Sequence, residues 1–319
     1  MTAMQNLKRA ELKEVRVSGC SRRHALALML AGAGLGSAAP DNPSPMRLAI
    51  SDKLIADVNL NDARAAMLIW IKRICQDLNV VIDNDPRVFD TTKEILNRLR
   101  AGTLDTVAIN AVEYWQMADL LDGRQIVAQA DPWAQVQYVI LAKRNSGIVK
   151  LSDLRGRRLA MLTAPRMCVA DAWLTTILHE ENLGPAGQFF GSVSTDTKAF
   201  QVVLPVFFGK VDACLTMKQA FETICELNPQ VKKDMVVIAS SPSMVVNLYT
   251  FRNGFQSVYR EKLIKALSNL SSSAAGRQLA LLFQFEQLAA RDSSCLASSQ
   301  HLLEKADRIR RQGIGSKKG

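Results

Sequence analysis

Short apolar runs alternate along the chain with longer segments whose apolar residues recur three and four positions apart. The runs are bounded by Gly, Pro, Asn or Asp, as strands are, and the longer segments have the spacing of helices that pack by one face. The predicted strands are residues 46–50, 80–82, 106–109, 126–129, 136–142, 159–162, 190–193, 211–216, 235–239 and 245–251. The predicted helices include residues 63–78, 91–100, 169–178, 197–208, 255–267 and 274–285. This alternation predicts an α/β fold.

Residues 151–183 predict a complete strand, turn and helix. The turn precedes a helix, where unpaired backbone N–H groups and the helix dipole favour an anion. Arg166, Met167 and Cys168 lie in this turn and are candidate ligand-binding residues. The alternative interpretation is an ordinary strand-to-helix connection that binds no ligand, because α/β folds contain many such turns.

Two further candidate segments follow the carboxyl ends of predicted strands. Ligands in open α/β sheets bind at that edge, so we expect residues 51–53 to face the turn at 166–168 and residues 216–218 across a gap. One follows the strand at 46–50, and the other lies where the strand at 211–216 meets the next helix. Their candidate residues are Ser51, Asp52, Lys53, Thr216 and Lys218.

Several short sequence motifs occur in the same order as in a known protein family. They are LSDLRGRRLAML, a break and a helix, then FFGKVDACLT, FETICELNP and VVIASSPSMV. In this order and at these distances they resemble the second lobe of the phosphonate/phosphite-binding family of periplasmic solute receptors, the type II binding proteins of ABC importers. The resemblance covers roughly residues 46–303.

The resemblance implies a two-lobed type II periplasmic binding protein fold with a mixed five-stranded sheet in each lobe. Lobe 1 would comprise residues 46–135 and 252–303, and lobe 2 residues 143–240. Strands 136–142 and 245–251 would cross between the lobes as a hinge, and the C-terminal helices would pack on lobe 1. Two crossovers would let the lobes rotate while few backbone angles change.

In function, the resemblance implies a receptor that closes two lobes over a small anion, of the phosphonate/phosphate or carboxylate type, and delivers it to an ABC permease. Asn110 and Tyr114 match positions where family members place a polar cap and a tyrosine against the ligand. No cofactor is implied, and a monomer is expected. A sensor or scaffold on the same fold, signalling to a membrane partner such as a sensor kinase, is the alternative.

The anion-binding turn departs from the family pattern. Where phosphonate binders carry a Ser/Thr-Ser-Gly-type turn, this chain has Pro165-Arg166-Met167-Cys168. The proline supplies no N–H donor, whereas the planar guanidinium of Arg166 suits a carboxylate or a phosphate. We therefore expect an anionic ligand without assigning it to phosphonate. In the competing arrangement Arg166 points to solvent and Met167 closes an apolar pocket.

Residues 1–39 predict an export signal and hence a periplasmic location. Arg22 and Arg23 precede an apolar run at 25–35 and indicate twin-arginine export, with general secretion as the alternative route. A cytoplasmic protein with a false signal is a third possibility. The apolar run is too short to cross a bilayer, which needs about 20 residues. The Gly- and Lys-rich tail at 312–319 is expected to be disordered.

Composition and motifs exclude several classes of function. The net charge is +10, but Lys and Arg form no stripe interleaved with aromatic residues, so nucleic acid is not an expected partner. The six cysteines and three histidines have no zinc-type spacing, so we expect no metal site and inert thiols. No H-E-x-x-H, G-x-S-x-G or P-loop occurs, and no His is near Cys168, so we expect no enzyme.

Overall fold

The computed structural model of the chain describes residues 45–55, 87–130, 135–282 and 287–315, together with single positions between 61 and 83. The predicted export signal at 1–39 lies outside the described residues, as do most of the predicted helix at 63–78 and strand at 80–82. The described positions of that helix, such as buried Ile71, are helical.

Two mixed sheets and the helices that cover them make up the described part of the chain. The strands are β1 (Leu48–Ser51), β2 (Arg87–Phe89), β3 (Thr106–Asn110), β4 (Leu121–Gln129), β5 (Tyr138–Lys143), β6 (Arg158–Leu162), β7 (Ser192–Asp196), β8 (Ala213–Met217), β9 (Met235–Ser240), β10 (Asn247–Arg252) and β11 (Leu288–Arg291). The helices are α1 (Thr92–Arg100), α2 (Ala111–Gln116), α3 (Ala170–Glu180), α4 (Ala186–Phe189), α5 (Ala199–Phe207), α6 (Lys218–Leu227), α7 (Pro229–Asp234), α8 (Arg260–Ser268), α9 (Ala274–Leu282) and α10 (Ala297–Gly315).

The first sheet has six strands in the order β11-β4-β10-β3-β1-β2. β1 is parallel to β2 and β3, whereas β10 is antiparallel to β3 and β4. Five strands were predicted for this lobe. Two strands of this sheet are absent from the prediction. One is β2, which lies beyond the strand predicted at 80–82 and pairs in parallel with β1. The other is β11, whose sequence Leu-Ala-Ala-Arg is too short and too poor in β-branched residues to indicate a strand, and whose extended form comes from antiparallel pairing with β4.

The second sheet has the predicted five strands, in the order β7-β6-β8-β5-β9. β6 lies parallel to β7 and β8, and β5 lies antiparallel to β8 and β9. The mixed α/β architecture with two mixed sheets confirms the predicted fold class, with the first sheet one strand larger.

Both faces of each sheet are covered, which explains the near-continuous apolar runs of the sequence. On β4, Ile126 and Ala128 belong to one core cluster and Val127 to the cluster on the opposite face. In the second lobe the side chains of Trp173, Tyr138 and Phe189 are almost fully buried in one large core. The first lobe is therefore held by two core clusters, one on each face of its sheet, and the second lobe by one large cluster.

The chain passes between the sheets twice, and the two crossing segments contact each other. The first crossing lies between β4 and β5, and the return lies between β9 and β10. Val136 and Met244 form an antiparallel bridge there, with N–O distances of 2.8 and 2.9 Å. Most of the predicted crossover strands 136–142 and 245–251 lies inside β5 and β10, so each crossing comes mainly just before its strand.

The last helix, α10, lies elsewhere than predicted. It packs against α3 of the second lobe, where Leu302 and Ala306 join the core, whereas Leu296 just before it is buried in the first-lobe core. The prediction placed the C-terminal helices, up to residue 303, on lobe 1. The expected disordered tail began at 312, but the helix runs to Gly315. Within the described residues, no helix has the length and apolar character needed to cross a membrane.

Candidate ligand-binding cleft

Candidate segments of the two lobes meet at one place in the structure. A 3-10 turn at Asp52–Leu54 follows β1 and contacts the 3-10 turn at Pro165–Met167, which follows β6. The carbonyl oxygen of Val246, in the return crossing, accepts a hydrogen bond from the backbone N–H of Ala111 at 2.8 Å and lies 4.0 Å from the Cys168 sulfur. The turn of the second lobe therefore faces the first-lobe segments that follow β1 and β3.

The segment after β1 is held by polar contacts. Ser51 is buried, and its Oγ accepts a hydrogen bond from the Lys53 backbone N–H at 3.3 Å. The Nζ of Lys53 lies 2.5 Å from the Oγ1 of Thr92, the first residue of α1. Burial raises the pKa of Asp52 above its ordinary value, and its Oδ1 atom makes no hydrogen bond with any described residue.

Glu113 is the centre of the first-lobe contacts, although it is not among the site residues predicted from the sequence. Only 1% of its surface is exposed. Its Oε1 accepts hydrogen bonds from the Ser51 hydroxyl at 2.9 Å and the Thr92 hydroxyl at 3.0 Å, and lies 3.5 Å from the ammonium of Lys53. Its Oε2 accepts the backbone N–H of Asn110 at 3.2 Å, while the Asn110 Oδ1 accepts the Glu113 N–H at 2.9 Å.

Asn110 and Glu113 thus form a capping box at the start of α2. The spacing Asn-x-x-Glu before a helix is the sequence signature of that motif and could have pointed to Glu113. Its bonds to Ser51 and Thr92 could not have been read from the sequence, because these residues are 62 and 21 positions away.

Tyr114, a candidate ligand contact, lies in the core of the first lobe. It is 2% exposed, and its ring packs edge-on to Trp115 at a centroid distance of 5.1 Å. Burial raises the pKa of its phenol, whose hydroxyl is hydrogen-bonded to Ser293. One residue turns a helical side chain by about 100°, so Glu113 contacts the segment after β1 while Tyr114 faces the core.

Arg166 is buried where the second-lobe turn meets the first lobe. The residue is 7% exposed, and its Nη1 donates to the Oε1 of Gln219 in α6 at 3.2 Å. Its carbonyl oxygen accepts a hydrogen bond of 2.8 Å from the hydroxyl of Tyr138 in β5. The arrangement in which Arg166 points to solvent is therefore wrong. Gln219, a contact of Arg166 that was not predicted, lies one residue after the predicted Lys218.

The other candidate site residues of the second lobe differ from one another in burial. Met167 is buried in the second-lobe core. Burial raises the pKa of the Cys168 thiol to about 12, which is the expected property of an inert thiol. Thr216 is fully buried in β8, whereas the Lys218 ammonium is half-exposed and lies 4.0 Å from Glu222. Among the residues that the structure describes, no three His, Cys, Asp or Glu side chains are placed to hold a metal ion.

Two mixed sheets, two crossing segments and strand-end turns that meet between the lobes define the class of type II periplasmic binding proteins. The chain belongs to a family within this class, the periplasmic substrate-binding proteins of phosphonate ABC transporters, whose profile matches residues 59–294. This family match favours the receptor over the sensor alternative. No curated protein matches the chain by sequence.

Solved structures with similar folds share little sequence with the chain. XAC2383 from Xanthomonas citri, bound to ATP, has 15% identity and a TM-score of 0.61 over 84% of this chain and 99% of its own. PhnD1 from Prochlorococcus marinus, in complex with methylphosphonate, has 14% identity and a TM-score of 0.56 over 84% and 99%. The aliphatic sulphonate binding protein SsuA from Escherichia coli has 14% identity and a TM-score of 0.50 over 85% and 88%. At these identities the likeness shows the fold alone.

Proposed function

We propose that the chain is a receptor that closes its two lobes over a small anion, of the phosphonate/phosphate or carboxylate type, and delivers it to an ABC importer. The observation that carries the proposal is the position of Arg166. Its side chain is buried on the turn after β6, next to the turn after β1, in a protein whose family binds solutes between such lobes.

The environment of Arg166 suits an anionic ligand. A guanidinium binds a carboxylate or a tetrahedral oxyanion by two parallel hydrogen bonds, and this contact is stronger where water is excluded. Gln219 fixes the head of the side chain, and Tyr138 fixes the backbone that carries it. Arg166 is thus preorganised, which lowers the entropy lost on binding.

Closure would use the two crossing segments as the hinge. Between the sheets they contact each other through the bridge of Val136 and Met244, and a hinge needs only a few residues that change their backbone angles. The proposed lobe boundaries are those expected from the sequence, except that α10 packs on the second lobe.

We also propose the location and the partners. A receptor of this family acts in the periplasm with an ABC permease, and residues 1–39 would direct its export. We propose that it acts as a monomer without a cofactor.

A thermal-shift screen tests the proposal. The purified protein is heated with methylphosphonate, phosphate, methanesulfonate, sulfate, acetate or succinate, and with neutral glycerol as the control. An anion present at 100 times its dissociation constant should stabilise the folded state by about 2.7 kcal/mol, which raises the melting temperature by several degrees. Stabilisation by none of the anions, or equally by glycerol, would contradict an anion receptor.

A further inference from the structure

The polar groups of the first lobe that face the cleft are already occupied by a carboxylate of the chain itself. Two hydroxyls, one backbone N–H and one ammonium converge on Glu113, from three separate segments. Their donors are Ser51 Oγ, Thr92 Oγ1, Asn110 N and Lys53 Nζ. Together they would suit an oxyanion, because hydroxyl, backbone and ammonium donors bind charged oxygens strongly.

Glu113 also lies at the boundary between the lobes. The Cys168 sulfur of the second lobe lies 4.0 Å from the Val246 carbonyl oxygen, which accepts the backbone N–H of Ala111 at the start of α2, and the turns after β1 and β6 are in contact. A ligand held by Arg166 would therefore approach Glu113 from the opposite side of the cleft. A second negative charge on that ligand would be repelled, since Lys53 is already engaged with Glu113.

We propose that Glu113 is a specificity-determining residue that takes the place of a ligand anion on the first lobe. The native cleft then selects a ligand with a single negative charge, met by Arg166, and with a neutral or hydrogen-donating end towards Glu113. It rejects tetrahedral dianions. This inference rests on the proposed function and narrows its ligand class to monoanions, such as carboxylates and sulfonates.

A matched pair of probes tests the inference on the unmodified protein. Methanesulfonate and methylphosphonate have nearly the same shape, but at about pH 9.5 the first carries one negative charge and nearly all of the second carries two. Titration calorimetry should show methanesulfonate bound at least ~10-fold more tightly, because like charges repel strongly in a buried site. Methylphosphonate bound as tightly as methanesulfonate, or more tightly, would overturn the inference.

Glu113→Gln supplies the second arm. The amide keeps the size and one acceptor oxygen of Glu113 but removes its charge, so that Lys53 can attract a dianion. We expect the affinity for methylphosphonate to rise by ~10- to 1000-fold, while that for methanesulfonate changes much less. Glu261→Gln, a change of the same charge at an exposed position of helix α8 in the first lobe, is the control and should alter neither affinity.

The outcomes separate this inference from the proposed function. If neither probe binds the unmodified protein, a gain of methylphosphonate binding in Glu113→Gln still supports the role of Glu113. If Glu113→Gln also fails to bind methylphosphonate, the inference is overturned. If Arg166→Ala leaves binding unchanged, the proposed role of Arg166 fails while the ratio of the two affinities still tests Glu113. Glu113→Asp keeps the charge and should still reject methylphosphonate. Binding of methylphosphonate by Glu113→Asp as tight as that by Glu113→Gln would overturn the inference.

Discussion

Removal of the Leu302 side chain should destabilise the protein far more than loss of the ion pairs around it. Leu302 is 5% exposed in the second-lobe core, on the face of α10 that packs against α3. Truncation of a buried Leu to Ala costs about 2–5 kcal/mol, since both the transfer energy and the packing around the resulting cavity are lost. Leu302→Ala should therefore lower the free energy of unfolding by about 3 kcal/mol.

The polar contacts of the same helix are exposed and should contribute little. Arg310 lies 2.5 Å from Asp171, with the two side chains 43% and 75% exposed, and Lys305 is paired with Glu180. Exposed pairs of this kind are worth about 0–1 kcal/mol. Arg310→Ala should accordingly change stability by less than about 1 kcal/mol, so that apolar burial, not charge, holds α10 on the second lobe.

Urea unfolding followed by circular dichroism measures both effects. Leu227→Ala is the control, because Leu227 is 83% exposed and should cost less than about 0.5 kcal/mol. If Leu302→Ala costs no more than Leu227→Ala, then α10 does not pack on the second lobe as described.

Three further predictions concern the buried ion pair, the thiol and export. Asp105 is buried, which acts to raise its pKa, but hydrogen bonds from Arg47 at 2.7 and 2.8 Å hold that pKa below its ordinary value. Stability from this pair should be present above about pH 4 and lost as the pH falls further. Asp105→Asn should cost ~1–3 kcal/mol at pH 7 and weaken the acid dependence of urea unfolding, to which Asp122 and Asp212 also contribute. Cys168 in the folded protein should react with iodoacetamide much more slowly than free cysteine at pH 8, and labelling as fast as that of free cysteine, found by peptide mapping, would contradict the raised pKa of this half-buried thiol. Changing Arg22 and Arg23 to Lys should leave precursor in the cytoplasm if export uses the twin-arginine route, whereas unchanged periplasmic yield would indicate general secretion.

The sequence predicts the strands and helices whose buried apolar residues recur at a regular spacing. β3 and β8 are apolar runs buried on both faces, and α3 has the helical spacing that its core contacts require. β11 was not predicted because pairing with β4, rather than its own residues, makes it a strand. The position of α10 was also missed, because an apolar stripe shows that a helix is buried on one face but not which surface covers it.

The sequence predicts which segments lie at the candidate cleft, but not which side chains of those segments make the contacts. Strand ends show where polar segments collect, and the turns after β1 and β6 are indeed in contact. Whether Tyr114 or Glu113 faces the neighbouring segment depends on one helical step, and whether Lys218 or Gln219 reaches Arg166 depends on another. Such steps are fixed by partners distant in sequence, so a single sequence does not reveal them.

Calorimetric titration of Arg166 variants tests the central claim most directly. The probe is the anion that stabilises the unmodified protein most in the thermal-shift screen. A charge-assisted contact is worth about 1.5–3 kcal/mol, so Arg166→Ala should weaken binding by roughly 10- to 150-fold, and Arg166→Lys should recover only part of that loss. Arg157→Ala, at an exposed arginine of the same lobe, is the control and should bind as the unmodified protein does. Binding by Arg166→Ala that equals the binding by this control, with the fold intact, would contradict an anion held by Arg166.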